Sequence, residues 1–230
     1  MLELHITNKN YSSWSLRPWV LMRELGITFS ERLHPLEPVG DWSEVRRLSP
    51  AGKVPFLVID GMVVWDSLAI VETLHERFPG VWPTDPRARA WARSASAEMH
   101  SSFGALRSIC SMSCGVRIRL HTISSELQRD IDRIADLWLD GLGRFDGPYL
   151  AGAAFTAVDA FFAPVAFRIQ TYGLELPPAA QEYAARLRAV PSMHIWYEAA
   201  LVEPWRDEPH DRDTLQSGTL VADHRHPVRT

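Results

Sequence analysis

Two hydrophobic periods alternate along the first third of the chain. Leu2, Leu4 and Ile6 are separated by polar residues, and this period of two is typical of a half-buried strand. Serines then precede an apolar helical stripe at residues 19–25, which Gly26 closes. The pattern therefore begins with a strand followed by a helix.

In the rest of the first third, the hydrophobic pattern predicts three more strands, at residues 27–33, 55–59 and Met62–Trp65. It also predicts a second helix, from Ser67 to just before Pro79. Asp60-Gly61 joins the last two strands and is a strong hairpin signal. The order is β-α-β, a less regular stretch, a β-hairpin and a helix. Because the first crossover is parallel and the hairpin is antiparallel, we expect a mixed four-stranded sheet.

A proline-rich stretch, PGVWPTDP at residues 79–86, is the predicted linker. Beyond it helical periodicity predicts five helices, at residues 88–106, 123–145, 157–172, 178–190 and 192–201. Thr156 and Asp159 form a capping box for the third of these helices. Residues from 203 onward are polar and contain prolines, which predicts a tail with little regular structure. The predicted units are therefore residues 1–80, an all-helical domain at 87–202 and a tail at 203–230.

Composition narrows the class of protein. The chain is 46% hydrophobic and 23% charged with a net charge of −4 and no block of like charges, which argues against a nucleic-acid-binding face. The first residues lack an apolar segment of signal-peptide length. The longest apolar stretch, residues 151–167, contains Thr156 and Asp159 and is predicted to be a buried helix instead of a membrane span.

The chain has two cysteines, Cys110 and Cys114, which are too few for a disulfide framework. We expect a cytoplasmic protein that contains no metal.

The junction of the first strand and first helix carries the first candidate chemistry. Ser12 and Ser13 precede the helix, and Pro18 is expected in its first turn. The simple interpretation is that the serines cap the helix. The alternative is that a hydroxyl at this electropositive helix start binds a thiol and lowers its pKa from about 8.5, which would produce a nucleophile.

A second candidate segment is SPAGKVPF at residues 49–56. Pro55 at the start of a strand is consistent with an ordinary edge device. If the Val54–Pro55 bond is cis, however, the backbone N–H and C=O of Val54 face outward and can pair with an extended peptide. Lys53 beside them suits a peptide carboxylate.

The third candidate segment is Asp66-Ser67, before the second predicted helix. Either residue can serve as a helix cap. Alternatively, Ser67 and the helix start bind a carboxylate while Asp66 pairs with an ammonium group. Jointly the three segments describe a ligand with an amino-acid end, a central peptide, a second carboxylate and a thiol. That ligand is glutathione.

The motifs SSxSxR, SPxGKVPxL and DSLAI, with the linker and the TxxD capping box, resemble those of the glutathione S-transferase superfamily over roughly residues 2–201. The resemblance implies a thioredoxin-like first domain, an all-helical second domain, glutathione as co-substrate and a homodimer. The serine pair is similar to the zeta class, which includes maleylacetoacetate isomerases. Trp14 is a departure, because the zeta pattern has a cysteine there. No cysteine lies in the first domain, which disfavours a mechanism based on a protein thiol.

The resemblance also assigns roles to the residues of the three segments. It implies that Ser12 is the catalytic hydroxyl, with Ser13 as a neighbour able to replace it. Val54 would make the main-chain pairing and Lys53 the contact to the glycine end. Asp66 and Ser67 together would hold the γ-glutamyl end.

Three functions follow as expectations. The leading one is a glutathione transferase acting on a small hydrophobic electrophile, in detoxification. The second is glutathione-dependent cis–trans isomerisation of a small diacid. The third is a non-catalytic module that binds a partner. A redox or metal role for Cys110 and Cys114 is disfavoured, because their spacing is not that of a zinc site. Residues 109–121 are expected to interrupt a helix, with Met99, Phe103 and Met112 in the core or lining the electrophile pocket.

Overall fold

A computed structural model describes residues 1–36 and 40–227. The described residues of the first part of the chain form four strands and three helices: β1 (Leu2–Ile6), α1 (Ser13–Glu24), β2 (Ser30–Leu33), α2 (Ser43–Leu48), β3 (Phe56–Ile59), β4 (Met62–Trp65) and α3 (Ser67–His75). The strand order is β2-β1-β3-β4, with β1 and β2 parallel and the other pairs antiparallel. The predicted mixed four-stranded sheet and thioredoxin-like domain are confirmed.

Local sequence explains most of these elements. Asp60 and Gly61 both adopt positive φ, of 50° and 82°, which makes the tight turn between β3 and β4. Ser12 is the N-cap of α1, so the helix begins at Ser13. Pro18 therefore lies in the second turn and not, as expected, in the first. Because proline has no N–H, it cannot donate to the carbonyl of Trp14 in the helical ladder.

The second part of the chain is mainly helical: α4 (Pro86–Ser101), α5 (Gly104–Ile109), α6 (Ser125–Phe145), α7 (Ala157–Tyr172), α8 (Pro178–Ala189) and α9 (Pro191–Val202). Helix α7 is the central element, and every residue in it except Gln170 is buried. The predicted capping box begins α7, with the Asp159 carboxylate accepting from the backbone N–H of Thr156 at 2.9 Å. Helix α7 packs against α1, α4 and α8, which brings the N-terminal sheet domain against the helices.

The expectation of an irregular C-terminal tail is wrong. A further strand, β5 (Val116–Leu120), pairs antiparallel with β6 (Gly218–Asp223), and a helix, α10 (Glu208–Gln216), precedes β6. Polar contacts hold this segment to the start of the chain. The Glu203 carboxylate, for example, accepts the backbone N–H groups of Lys9 at 2.6 Å and Asn10 at 3.2 Å. Such contacts with distant residues leave no hydrophobic period in the sequence.

The apolar core is continuous across both parts of the molecule. The predicted linker takes part in it: Val81 and Trp82 are buried, and the carbonyl of Val81 accepts from the N–H of Ala157 at 2.8 Å. Among the described residues, no helix is long and apolar enough to cross a membrane.

Candidate functional site

All six residues that the sequence singles out line two adjoining cavities. The first cavity, of about 370 Å³, contains Asp66 and Ser67 in its wall. The second, of about 400 Å³, contains Ser12 and Ser13. Trp14, Lys53 and Val54 line both cavities, so the two spaces meet at these residues. Volumes of this size are typical of sites for small molecules.

Ser12 lies half-buried at the N-terminus of α1. Its Oγ accepts the backbone N–H of Ser15 at 3.2 Å and donates to Ser15 Oγ at 2.8 Å. Ser15 Oγ in turn accepts the backbone N–H of Thr7 at 3.3 Å, which ties the helix start to the end of β1. The partial positive charge of the helix end acts at this position, as a site for an anionic sulfur requires.

Ser13 is the neighbouring candidate and differs from Ser12 in its contacts. Its side chain is 7% exposed and lines the second cavity. No hydrogen bond joins Ser13 Oγ to any described residue. The hydroxyl of Ser13 is therefore available to a ligand without first breaking a contact.

Tyr11 also lines the second cavity, but its hydroxyl is occupied. It donates to Asp211 Oδ2 at 3.2 Å and accepts from the backbone N–H of Asp207 at 3.3 Å and from Arg225 Nη1 at 3.2 Å. Burial, with the charge of Asp211 as a second cause, raises the pKa of Tyr11 to about 12. The Tyr11 hydroxyl therefore has a structural role, joining the loop before α1 to the C-terminal segment, and it is a poor proton donor to sulfur.

The turn before β3 places Val54 and Lys53 at the meeting point of the cavities. The Val54–Pro55 peptide bond is cis. Ser49 Oγ donates to the carbonyl of Lys53 at 2.9 Å, which fixes the turn from the other side. The side chain of Lys53 is exposed and that of Val54 is half-buried. A cation and a backbone edge thus stand next to each other, as binding a peptide with a free carboxylate requires.

The start of α3 forms the far end of the first cavity. Asp66 is the N-cap: its Oδ1 accepts the N–H of Leu68 at 2.8 Å, and its Oδ2 lies 3.4 Å from Nε2 of His100 on α4. Ser67 is 1% exposed, and its Oγ has no partner among the described residues. A buried hydroxyl without a partner at a helix N-terminus is suited to donate a hydrogen bond to the carboxylate of a ligand.

Trp14 lines both cavities and lies where they meet. The guanidinium carbons of Arg17 and Arg107 lie 4.2 and 4.9 Å from the centre of its ring, and the His100 ring meets it edge-on at 5.1 Å. The indole ring of Trp14 therefore makes cation–π contacts with two guanidinium groups.

Sequence reasoning missed several residues of the second cavity, among them Arg107 and Arg168. Arg168 had a usable signal, because it is the one charged residue in the second half of α7. His210 lies on α10, in the segment expected to be irregular. Its Nε2 is 2.9 Å from the carbonyl of Met112, and burial lowers its pKa, so the ring is neutral at pH 7.

The remaining candidates divide between cavity and core. Met112 lines the second cavity, whereas Met99 and Phe103 are buried in the core and line neither cavity. Cys110 and Cys114 are fully buried, and burial raises the pKa of both thiols, so neither is a nucleophile. Within residues 1–36 and 40–227, no cluster of side chains suits a metal ion.

Two family models match the chain. Residues 11–77 match the glutathione S-transferase N-terminal domain, and residues 121–206 match the glutathione S-transferase C-terminal domain. Together they span more than half of the chain.

Individual relatives are similar to this chain over stretches of different length. A probable maleylacetoacetate isomerase from Caenorhabditis elegans is 42% identical over 69 residues, which cover 29% of this chain and 32% of that protein. A stringent starvation protein A homologue from Pasteurella multocida is 24% identical over 174 residues, covering 73% of this chain and 77% of that one. The fold is similar to that of a glutathione transferase homologue from Burkholderia, crystallised with bound glutathione. That similarity has a TM-score of 0.66 at 24% identity and covers 86% and 97% of the two chains.

Proposed function

Because the chain belongs to the glutathione S-transferase superfamily, we propose that it is a glutathione transferase that joins the glutathione thiolate to a small electrophile. The observation that carries the proposal is the convergence of three separate segments of sequence on two cavities that meet at Trp14, Lys53 and Val54. Structural neighbours crystallised with glutathione support the same ligand. We further propose a cytoplasmic homodimer.

In this proposal the first cavity binds the γ-glutamyl end of glutathione. The hydroxyl of Ser67 and the N–H groups of the α3 start donate to the carboxylate, and Asp66 pairs with the ammonium group. The backbone of Val54 pairs with the cysteinyl peptide group as a strand would, and Lys53 pairs with the glycine carboxylate. The thiol then lies toward the second cavity, next to the serines.

The chemistry is an addition of sulfur to carbon. The hydroxyl of Ser12 donates to the sulfur, and the start of α1 adds a favourable field, so that the thiol releases its proton to water at neutral pH. The thiolate attacks the electrophilic carbon in the second cavity. For an aryl chloride, a C–S bond forms, the C–Cl bond breaks and chloride leaves.

The direct test uses the unmodified protein. Retention on immobilised glutathione and glutathione-dependent conversion of 1-chloro-2,4-dinitrobenzene, with loss of one thiol per product, are the expected results. A protein that neither binds glutathione by calorimetry nor consumes it with activated aryl halides would contradict the proposal.

A second candidate is glutathione-dependent cis–trans isomerisation, favoured by the similarity to the C. elegans relative and by the zeta-like serine pair. Here the thiolate adds to a double bond, the bond rotates and the thiolate leaves, so glutathione is regenerated. Turnover of maleylacetone without loss of thiol would identify this reaction, whereas conjugation consumes one thiol per turnover.

A non-catalytic binding module is the third candidate, and the stringent starvation protein A homologue is a relative whose name indicates no transferase activity. The unpartnered Ser67 hydroxyl argues for a ligand in the first cavity. Absence of glutathione binding would favour the module.

A further inference from the structure

Among the described residues, three arginine side chains, two of them buried, lie in or behind the wall of the second cavity. Arg168 on α7 is 4% exposed, Arg17 on α1 is fully buried, and Arg107 on α5 is half-buried. Arg107 and Arg168 line the cavity, and Arg17 stands behind Trp14. Burial and then the charge of Arg107 lower the pKa of Arg168 to about 10, so this side chain is still a cation at pH 7.

Burial lowers the pKa of Arg107, and the nearby carboxylate of Asp130 opposes this shift because it favours the charged form. Burial also lowers the pKa of Arg17, and the carboxylate of Asp66 opposes that shift in the same way. No described carboxylate acts in this way on Arg168. Within residues 1–36 and 40–227, none of the three arginines forms an ion pair.

Arg168 donates from Nε to the carbonyl of Cys110 at 2.8 Å, while its Nη1 is buried without a partner. Arg107 donates to backbone carbonyls of Ser102, at 2.9 Å, and Met99. Backbone carbonyls satisfy some of the N–H groups, but they do not cancel the charge.

The charges in the wall of the second cavity are unbalanced. Lys53, Arg107 and Arg168 are cationic, and Asp207 is the single carboxylate among the described lining residues. Asp207 already caps α10, accepting the N–H of His210 at 3.4 Å. If Lys53 binds glutathione, two arginines remain for the second substrate.

Burying a cation without a counter-ion is costly, so proteins normally pair such groups. A guanidinium presents a planar fork of N–H donors that matches a carboxylate. We propose that Arg107 and Arg168 bind a carboxylate of the second substrate, which makes the electrophile an organic anion and not a neutral apolar molecule. This inference rests on the proposed function, because it names the second substrate of that site.

Trp14 fixes where that carboxylate binds. Its ring contacts the Arg107 guanidinium and also lines the glutathione cavity. The carboxylate is therefore held beside the boundary between the two cavities, and the reactive carbon of the same small molecule lies within reach of the sulfur.

The test compares two substrates of nearly equal shape, 4-chloro-3-nitrobenzoate and 4-chloro-3-nitrobenzamide. Each kcat/KM is divided by the rate constant for free glutathione, which removes the difference in intrinsic reactivity. We expect the benzoate to be preferred by at least about tenfold, as for a carboxylate paired with a partly buried arginine. Equal efficiencies, or a preference for the amide, would overturn the proposal.

Variants locate the preference. In Arg168→Gln and Arg107→Gln the benzoate preference should fall toward unity with little change for the amide, and Arg168→Lys should keep part of it. Arg87→Gln, which removes the same charge from an exposed position on α4, should leave the ratio unchanged. Because the readout is a ratio on one protein sample, partial loss of folded protein does not alter it. A ratio unaffected in both Arg168→Gln and Arg107→Gln would contradict the assignment.

A binding measurement separates this inference from the proposed function. Calorimetry with 3-nitrobenzoate and 3-nitrobenzamide, neither of which reacts, reports the anion preference with or without S-methylglutathione present. If conjugation fails but the benzoate still binds at least about tenfold tighter in an Arg168-dependent manner, the carboxylate site stands and the transferase proposal falls. If conjugation succeeds and the two ligands bind equally, the transferase proposal stands and the carboxylate site falls.

Discussion

At the scale of single residues, the hydroxyl groups of Ser12 and Ser13 differ in what they already contact. Ser12 Oγ–H points to Ser15 and must turn to reach a sulfur, while it keeps the N–H of Ser15 as a donor. Ser13 Oγ has no such contact among the described residues, but its side chain is more deeply buried. Helix position favours Ser12, because the N-cap is closest to the unpaired N–H groups of α1.

Ser12→Ala tests this assignment. Loss of a hydrogen bond to a charged sulfur should lower kcat by about 10- to 100-fold, with little change in glutathione affinity. The variant should also raise the pKa of the bound thiol, so its deficit is largest at low pH and shrinks as the pH rises above that pKa. Thiolate absorbance of the bound glutathione, kcat and calorimetric affinity measure the three quantities.

The adjacent variant is the matched control. Ser13→Ala should change kcat much less than Ser12→Ala. If instead the loss of turnover and the rise in thiol pKa appear in Ser13→Ala, Ser13 is the catalytic hydroxyl and Ser12 is a helix cap.

At the scale of elements, the position of α7 depends on the carboxylate of Asp159. Its Oδ1 accepts from the N–H of Leu150 at 3.0 Å and the hydroxyl of Tyr183 at 2.7 Å, and its Oδ2 accepts from Thr156. The group is fully buried, and burial raises its pKa. One side chain therefore joins the start of α7 to the preceding loop and to α8.

Asp159→Ala should destabilise the protein by about 3 kcal/mol or more, because it removes a helix cap and leaves several buried donors without acceptors. Chemical denaturation followed by circular dichroism measures the change. Asp136→Ala, at an exposed position of α6, should change the free energy of unfolding by less than about 0.5 kcal/mol. A loss below about 1 kcal/mol for Asp159→Ala would show that water replaces the carboxylate.

Elements with a strong local pattern were predictable, and those held by distant contacts were not. The β3–β4 hairpin follows from its Asp-Gly turn between two short apolar runs. Helix α2 was missed, because in six residues it buries only Val45 and so shows no apolar stripe. Helix α10 and β6 were missed because their residues are mostly polar and are held by partners far away in the sequence.

At the scale of the whole molecule, the same division applies to the site. The positions of Ser12, Val54 and Ser67 were predictable, because a helix start or a proline turn is a local signal. Arg107, Arg168 and His210 come from three separate helices, and only the packing of those helices brings them to one cavity. The sequence therefore predicted the place where glutathione is proposed to bind much better than the wall that faces the second substrate.

The last segment of the chain contributes Asp207 and His210 to the wall of the second cavity, and Arg225 ties this segment to the start of the chain. Arg225 Nη1 contacts both carboxylate oxygens of Asp211 at 2.7 and 2.8 Å and the Tyr11 hydroxyl at 3.2 Å, and Arg225 also pairs with Asp223. The side chains of Arg225 and Asp211 are 11% and 19% exposed, so their attraction is only partly screened. This cluster connects α10 and β6 to the loop that precedes α1.

Arg225→Gln should therefore loosen α10, because it leaves Asp211 partly buried without its cation. We expect a loss of about 2 kcal/mol in stability and faster hydrogen exchange for amides of residues 208–216. Glutathione affinity should hardly change, since the described residues lining the first cavity all lie between Trp14 and Ser67. Arg212→Gln, an exposed change on α10, is the control. If exchange in α10 is unaltered by Arg225→Gln, contacts such as that between His210 and the Met112 carbonyl hold the helix in place instead.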